Sequence, residues 1–198
     1  MTSQPDIRMR VLSSSDLRSL IPELANVLVS AVNGGASLGF IPPMSVDDAH
    51  DYWFAIRAEL DSGRRLLVGA FRGDRIVGAG QLLLPSWPNA AHRAEIQKMV
   101  VAESMRRRGV GRWLMEALHS VACDYGRTLI LLNARHGSSA EGFYRSLGYE
   151  EVGVVPGYTL GPAGERLDSV ALYLDIGHWL SFRAEARRAG GEESQSSR

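Results

Sequence analysis

Lysine is nearly missing from this chain: Lys98 is the only one, and arginine supplies the rest of the strong positive charge. An excess of either sign is missing too. Lys and Arg total 22, Asp and Glu total 22, and the formal net charge is zero. A neutral molecule has no long-range pull on nucleic-acid backbones or anionic lipid, so any basic site must be local, and neither a nucleic acid nor a membrane is expected as a partner. Cysteine is down to Cys123, which excludes an intrachain disulfide and reads as a cytoplasmic, reduced protein. No apolar run approaches the roughly 18 residues of a membrane span, and Pro5 and Asp6 interrupt the stretch where a secretory signal would need its apolar core. The histidines are scattered singly, without the paired spacing of a metal site. His92, His119 and His136 read as surface or structural residues, and no metal is expected.

The apolar content of 45 % over 198 residues suffices for one core, and the expected organisation is a single domain over residues 1–186 with a disordered polar tail over 187–198. Ile7 to Leu12 reads as a strand. Ser14 or Ser15 then caps a helix that carries Leu17, Leu20, Ile21, Leu24, Val27, Leu28 and Ala31 at helical spacing and stops at Asn33-Gly34-Gly35. Ser45-Val46-Asp47-Asp48 resembles a capping box opening a helix to about Asp61.

The period then changes to that of strands: Arg65 to Phe71 and Ile76 to Leu84, joined by the hairpin composition Arg72-Gly73-Asp74-Arg75, followed by Ala94 to Val101. A helix over Gly111 to Tyr125, with Trp113, Leu114, Ala117, Leu118, Val121 and Ala122 as its stripe, precedes a strand at Thr128 to Leu132. Ser138-Ser139-Ala140-Glu141 forms a capping box for a short helix ending at Leu147-Gly148. Two strands, Tyr149 to Val155 and Asp168 to Ile176, flank a Pro/Gly-rich loop. The order is β-α-α-β-β-β-α-β-α-β-β, which implies a mixed α/β (α+β) sheet with helices on both faces.

The run Arg106-Arg107-Arg108-Gly109-Val110-Gly111-Arg112 stands between a strand and an amphipathic helix. Main-chain N–H groups without helical partners, together with the positive end of the helix dipole, make an anion site there, and Gly109 and Gly111 let a phosphate come close. A nucleotide P-loop would need Gly-Lys-Ser/Thr at its end, and a dinucleotide fingerprint a glycine where Leu114 stands. A solvated arginine run is the plainer alternative.

Arg-x-x-Gly-x-Gly after a strand, then helix, strand and Ala140-Glu141-Gly142-Phe143-Tyr144-Arg145-Ser146-Leu147-Gly148-Tyr149, resembles the GNAT acetyltransferase superfamily over essentially residues 7–176. Four further segments are similar to the tabtoxin-resistance branch of that superfamily: Gly34 to Phe40, Arg93 to Lys98, Ala140 to Tyr144 and Pro156-Gly157-Tyr158.

The resemblance implies a mostly antiparallel sheet of about seven strands with a splayed central pair. It also implies acetyl-CoA as cofactor, with Met99, Val100, Val101, Arg106 to Arg112, Asn133 and Ser139 in contact with it. The acetyl group would pass by direct attack to the amine of a small molecule, possible toxins and antibiotics included. A protein acetyltransferase and a non-catalytic acyl-CoA-binding regulator are the competing readings.

Glu95 is the candidate base. Strand alternation places Glu95, Gln97 and Met99 on one face and Ala94, Ile96, Lys98 and Val100 on the other, and pairing with Arg93 or Lys98 is the structural alternative. Tyr144 is the candidate acid for the leaving thiolate, a core tyrosine being the alternative. Asn133 touches the cofactor or caps a turn. Ser37, Phe40 and Tyr158, on the two loops 34–44 and 156–166 that flank the site, and Gln97 on the strand beside Glu95 are candidate acceptor-binding residues. Cys123 reads as core packing without a neighbouring base. His178-Trp179-Leu180 with Phe182 reads as a further apolar helix, and the expected assembly is a homodimer.

Overall fold

The computed structural model describes residues 7–177. The tail at 187–198 and the apolar segment from His178 to Phe182 lie outside them. Seven strands, β1 (Ile7–Leu12), β2 (Arg65–Arg72), β3 (Arg75–Leu83), β4 (Arg93–Val101), β5 (Leu129–Arg135), β6 (Glu150–Leu160) and β7 (Arg166–Asp175), form one sheet in the order β1-β2-β3-β4-β5-β7-β6. Every neighbouring pair is antiparallel except β4 with β5. Among the described residues five α-helices complete the fold: α1 (Ser14–Asn33), α2 (Val46–Ala55), α3 (Arg57–Asp61), α4 (Val110–Asp124) and α5 (Ser139–Arg145). No helix among the described residues is long and apolar enough to cross a membrane.

Alternation on the strands sorts the core into two layers. Leu67, Phe71, Ile76, Ala79 and Val100 pack with α1 and α2, around Leu17, Leu24, Leu28 and Trp53. Leu66, Val68, Leu82, Ala94, Ile96, Ile130, Leu132, Val170 and Leu172 pack on the other face against Leu114, Met115, Leu118 and Ala122 of α4. Burying a leucine or isoleucine contributes roughly 2 kcal/mol, so these two layers hold the sheet and leave its centre rigid.

Several boundaries differ from expectation for identifiable reasons. The first helix is capped by Ser13, not Ser14 or Ser15, because only Ser13 has an acid three residues on: its hydroxyl accepts from the Asp16 amide, and Asp16 returns to its backbone N–H. The helix expected over 46–61 breaks at Ile56 into α2 and α3. The box at Ser138 is half formed. Its hydroxyl caps the Glu141 amide, but the Glu141 carboxylate takes the Gly137 amide and Arg145 instead of returning to Ser138.

The helix α4 begins one residue early, and its deepest side chains are Val110, Leu114, Met115, Leu118, Ala122 and Cys123, with Trp113, Ala117 and Val121 half-buried beside them. The strand β5 runs on to Arg135, so Asn133 lies within it. The loop expected over 156–166 is largely strand: β6 continues through Pro156 and Gly157 to Leu160. Its register shifts between Val155↔Ser169 and Thr159↔Leu167, which is how an edge strand accommodates a proline.

Candidate active site

Between β4 and β5 the sheet is only partly closed. Their parallel pairing consists of Arg93↔Leu129, Ala94↔Ile130 and Glu95↔Leu131 and stops there, although β4 continues to Val101 and β5 to Arg135. Beyond Glu95 the two strands therefore bound a cleft of about 620 Å³ in which main-chain groups of β4 have no strand partner on that side. Ile96 to Val101 form one wall and Asn133 to Arg135 the other, with Ser138, Ser139, Ala140 and Tyr144 closing it from α5.

The bulge in β4 overturns the parity expected for this strand. Gln81↔Gln97 is followed by Ala79↔Val100, so three steps on β4 match two on β3, and Lys98 takes a left-handed φ of 50°. Ala94 and Ile96 lie in the α4 layer, as does the Met99 contact, whereas Val100 belongs to the α1 layer. Met99 is thus on the face opposite Glu95, and Lys98 joins Glu95 and Gln97 on the α1 side. Gly80, facing the bulge, makes room for it: a Cβ there would stand 2.7 Å from Leu118 Cδ1 and 3.0 Å from Met99 Sδ.

Glu95 sits where the pairing ends and is half-buried. Its Oε1 accepts from Gln97 Nε2 at 2.9 Å. Gln97 Oε1 accepts from Arg65 Nη1 at 3.2 Å, and the same nitrogen donates to Gln81 Oε1 at 2.6 Å. Arg65 Nε donates to Glu59 Oε2 at 2.8 Å, and Tyr52 Oη donates to Gln81 at 2.9 Å. Neither Arg93 nor Lys98 forms an ion pair with Glu95. The Lys98 ammonium instead donates to the Leu38 carbonyl and lies 4.9 Å from the Phe40 ring centroid, its pKa lowered by burial and by Arg65, against the opposing pull of Glu95.

The arginine-glycine loop follows β4 through a short turn at Glu103–Met105. Arg107 (φ 61°) and Gly109 (φ 84°) are both left-handed, and Gly109 is the N-cap of α4 with no side-chain cap bond, so the first amides of this 15-residue helix are left for an external acceptor. The side chain of Val110 is buried in the core, leaving only its backbone to serve the loop. A Cβ on Gly111 would meet Phe143 at 3.5 Å, an ordinary contact, so internal packing does not demand glycine there. Arg106 lines the cleft and donates through Nε to the Val101 carbonyl at 3.3 Å, while Arg107, Arg108 and Arg112 are exposed beside it.

Tyr144 is carried to the cleft by α5. Burial pushes its pKa up to about 12, and its ring packs on Phe143 and Tyr149. Behind it, His119 Nε2 and Tyr149 Oη are 2.8 Å apart, and burial pulls the histidine pKa down to about 4. The buried carboxylate of Glu141 holds the turn before α5; the Gly137 amide and then Arg145 keep its pKa below the usual carboxylate range. On the other rim, Asn33 clips the α1–α2 loop by bonds to both main-chain groups of Met44, which sets Gly34 to Gly39 against the cleft.

Of the residues singled out in the sequence, the cleft brings together Glu95, Tyr144, Met99, Val100, Val101, Arg106, Asn133, Ser139, Ser37, Gln97 and Tyr158. Arg107 to Arg112 lie outside its lining, and so does Phe40, whose ring packs edge-on to Tyr52 at 5.1 Å under Lys98. Sequence reasoning missed Glu59, Arg65, Gln81 and Tyr52. A glutamine and an arginine inside apolar strands were the available signal. Among the described residues no group of three or more His, Cys, Asp or Glu is placed to hold a metal ion.

The family model described as acetyltransferase (GNAT) domain matches residues 62–151, the segment from the start of β2 to the start of β6. Solved structures share the fold. The ribosomal-protein-alanine N-acetyltransferase of Brucella melitensis superposes with a TM-score of 0.67 at 19% identity, over 85% of this chain and 99% of that one. The protein yncA of Salmonella typhimurium, solved with its cofactor acetyl-CoA, gives 0.67 at 16% identity over 86% and 94%. The aminoglycoside 6'-acetyltransferase type Ii gives 0.63 at 20% identity over 85% and 97%.

Proposed function

We propose that this chain, an acyl-CoA-dependent acetyltransferase that carries a GNAT domain over residues 62–151, acetylates the amino group of a small molecule by direct attack within a ternary complex. The observation that carries the reading is the placement of Glu95 at the point where β4 and β5 part, in a cleft whose lining runs along β4 to Val101 and on to Arg106, at the start of the loop that enters α4.

The residues present fit acetyl-CoA. The uncapped amides behind Gly109, with Arg106 to Arg108 and Arg112 around them, would hold its phosphates, and the unpaired edge of Met99, Val100 and Val101 its pantetheine arm, with Asn133 and Ser139 on the opposite wall. When bound there it supplies an activated thioester carbonyl. Glu95 Oε1 is fixed by Gln97, and Oε2 makes no hydrogen bond or ion pair among the described residues, which leaves it to accept the proton of an incoming amine. Tyr144 carries its proton throughout the neutral range, as a tyrosine of ordinary pKa also does, and so has one to donate to a departing sulfur; its raised pKa makes it a weaker acid for that step. Ser37 and Tyr158, on the rims of the same cleft, would border the amino end of the acceptor where it meets the thioester, with Phe40 supporting the rim through Lys98.

The likeness of Gly34 to Phe40, Arg93 to Lys98, Ala140 to Tyr144 and Pro156 to Tyr158 to tabtoxin-resistance acetyltransferases supports an amino-acid-like acceptor, including toxins and antibiotics inactivated by acetylation. The single cysteine supports work in the cytoplasm.

A thiol-release screen with acetyl-CoA against amino acids, amine antibiotics and short peptides tests the reading. Turnover of small amines is expected, with Glu95→Gln lowering kcat about 100-fold while acetyl-CoA affinity is kept. Wild-type rates in that variant across pH 6 to 9 would remove Glu95 from the chemistry, and turnover confined to peptides would replace the small-molecule reading.

A further inference from the structure

Next to the cofactor cleft lies a second cavity of about 510 Å³, within the range of small-ligand sites. The two linings share one residue, Glu95. A direct transfer needs the amine and the thioester to meet at one base, and a residue that borders both cavities allows each ligand its own approach.

The chemistry of the second cavity is lopsided. Its apolar floor is Leu83, Leu84, Pro85 and Leu131, and Trp87 stands over it with 71% of its surface exposed, an unusual cost for an indole unless something planar or apolar is to cover it. Three arginines line it. Arg65 is committed to Glu59, Gln81 and Gln97. Arg64 is held only through Nε, by Ser62 Oγ at 3.2 Å, and Arg93 opens β4; neither forms an ion pair among the described residues. Two unpaired guanidinium groups beside an exposed ring suit a carboxylate attached to an apolar or planar body, while Glu95, which has no ion-pair partner among the described residues, suits an amine.

We propose that this cavity is an anion-reading acceptor subsite: it takes an amine that also bears a carboxylate, the acid held by Arg64 and Arg93, the body against Trp87, and the amino group presented to Glu95. The assignment rests on the acetyl-transfer reading above, in which Glu95 receives the amine.

The test is an acceptor profile of thiol release with free amino acids and dipeptides, each paired with its C-terminal carboxamide, for wild type, Arg64→Ala/Arg93→Ala, Arg64→Lys/Arg93→Lys and Trp87→Ala. Wild type should favour the acids over their amides by at least about tenfold in kcat/KM, and the double alanine variant should bring that ratio near one through KM. The double lysine variant keeps part of the preference, because charge remains but the planar fork is lost. Trp87→Ala raises KM most for aromatic bodies. Equal use of acids and amides by wild type, a preference that survives in Arg64→Ala/Arg93→Ala, or failure to turn over any acid in the panel overturns the proposal. Calorimetric binding of acetyl-CoA should be unchanged in the double alanine variant; a wild-type chain that does not bind acetyl-CoA would instead sink the underlying acetyltransferase reading.

Discussion

The two ends of β4 are built from similar residues and behave differently. At Arg93 to Glu95 the strand pairs with β5, and at Glu95 with β3 as well, while from Ile96 to Val101 it pairs only with β3. The first part needs nothing beyond alternation, with Ala94 buried and Arg93 exposed. The second contains the left-handed Lys98, faces Gly80 across the bulge, and leaves its other edge to the cleft. The closed end fixes position, and the open end offers main-chain groups to a ligand. A sheet interior would ordinarily satisfy those groups internally, so their exposure in a cleft comes at a cost in sheet pairing.

Substitutions at the open end should affect turnover more than folding, and this contrast can be broken in order of size. Tyr144→Phe removes only a hydroxyl at the mouth of the cleft; kcat is expected to fall about 10- to 1000-fold with the melting temperature unchanged, and a loss of stability without loss of kcat would make Tyr144 a packing residue.

Next comes the wall behind it, where His119 is neutral when folded. Its folded pKa of about 4 lies below the ordinary 6.5, so the unfolded chain binds the proton first: its contribution is complete above pH 6.5 and is lost as pH falls toward 4, by roughly 3 kcal/mol. Urea titrations at several pH values should show that slope in the wild type and a shallower one in His119→Gln; parallel slopes would contradict it.

Gly80→Ala tests whether the bulge is what separates the two ends. The added methyl presses on Leu118 and Met99 and should cost about 2 kcal/mol in chemical denaturation, with acetyl-CoA binding weakened as the bulge shifts. Unchanged stability together with unchanged binding would show that the bulge tolerates a side chain facing it. Smallest is the loop beyond the open end: Arg106→Ala/Arg108→Ala should weaken acetyl-CoA binding about tenfold by calorimetry with no change in folding, and unchanged affinity would detach the arginines from the phosphates.

How far these features could be read in advance depended on the range of the interaction that makes them. The entry into α4 was legible because Gly109, the arginines and the amphipathic stripe of the helix are contiguous, and local patterning carries local structure. The parting of β4 from β5 came only through family resemblance, since hydrophobic pattern does not tell which strands pair or for how long. The bulge at Lys98 carried no glycine to announce it; a lysine at φ 50° is held there by its own head on the Leu38 carbonyl, 60 positions away. Parity along β4 was therefore misread after Gln97. The support of Glu95 was illegible for the same reason, because Arg65 meets Gln81 and Gln97 across 16 and 32 positions, and Phe40 was misplaced on the cleft wall because nothing local linked it to Tyr52 and Lys98.

A gap walled by main-chain groups of two different strands exists only while the chain is folded. Anything lodged between β4 and β5 must therefore raise the midpoint of thermal unfolding by mass action, adding about 2.7 kcal/mol at a hundredfold excess over its Kd. A simple melting curve can then serve as an occupancy gauge, independent of whether any acetyl group is transferred.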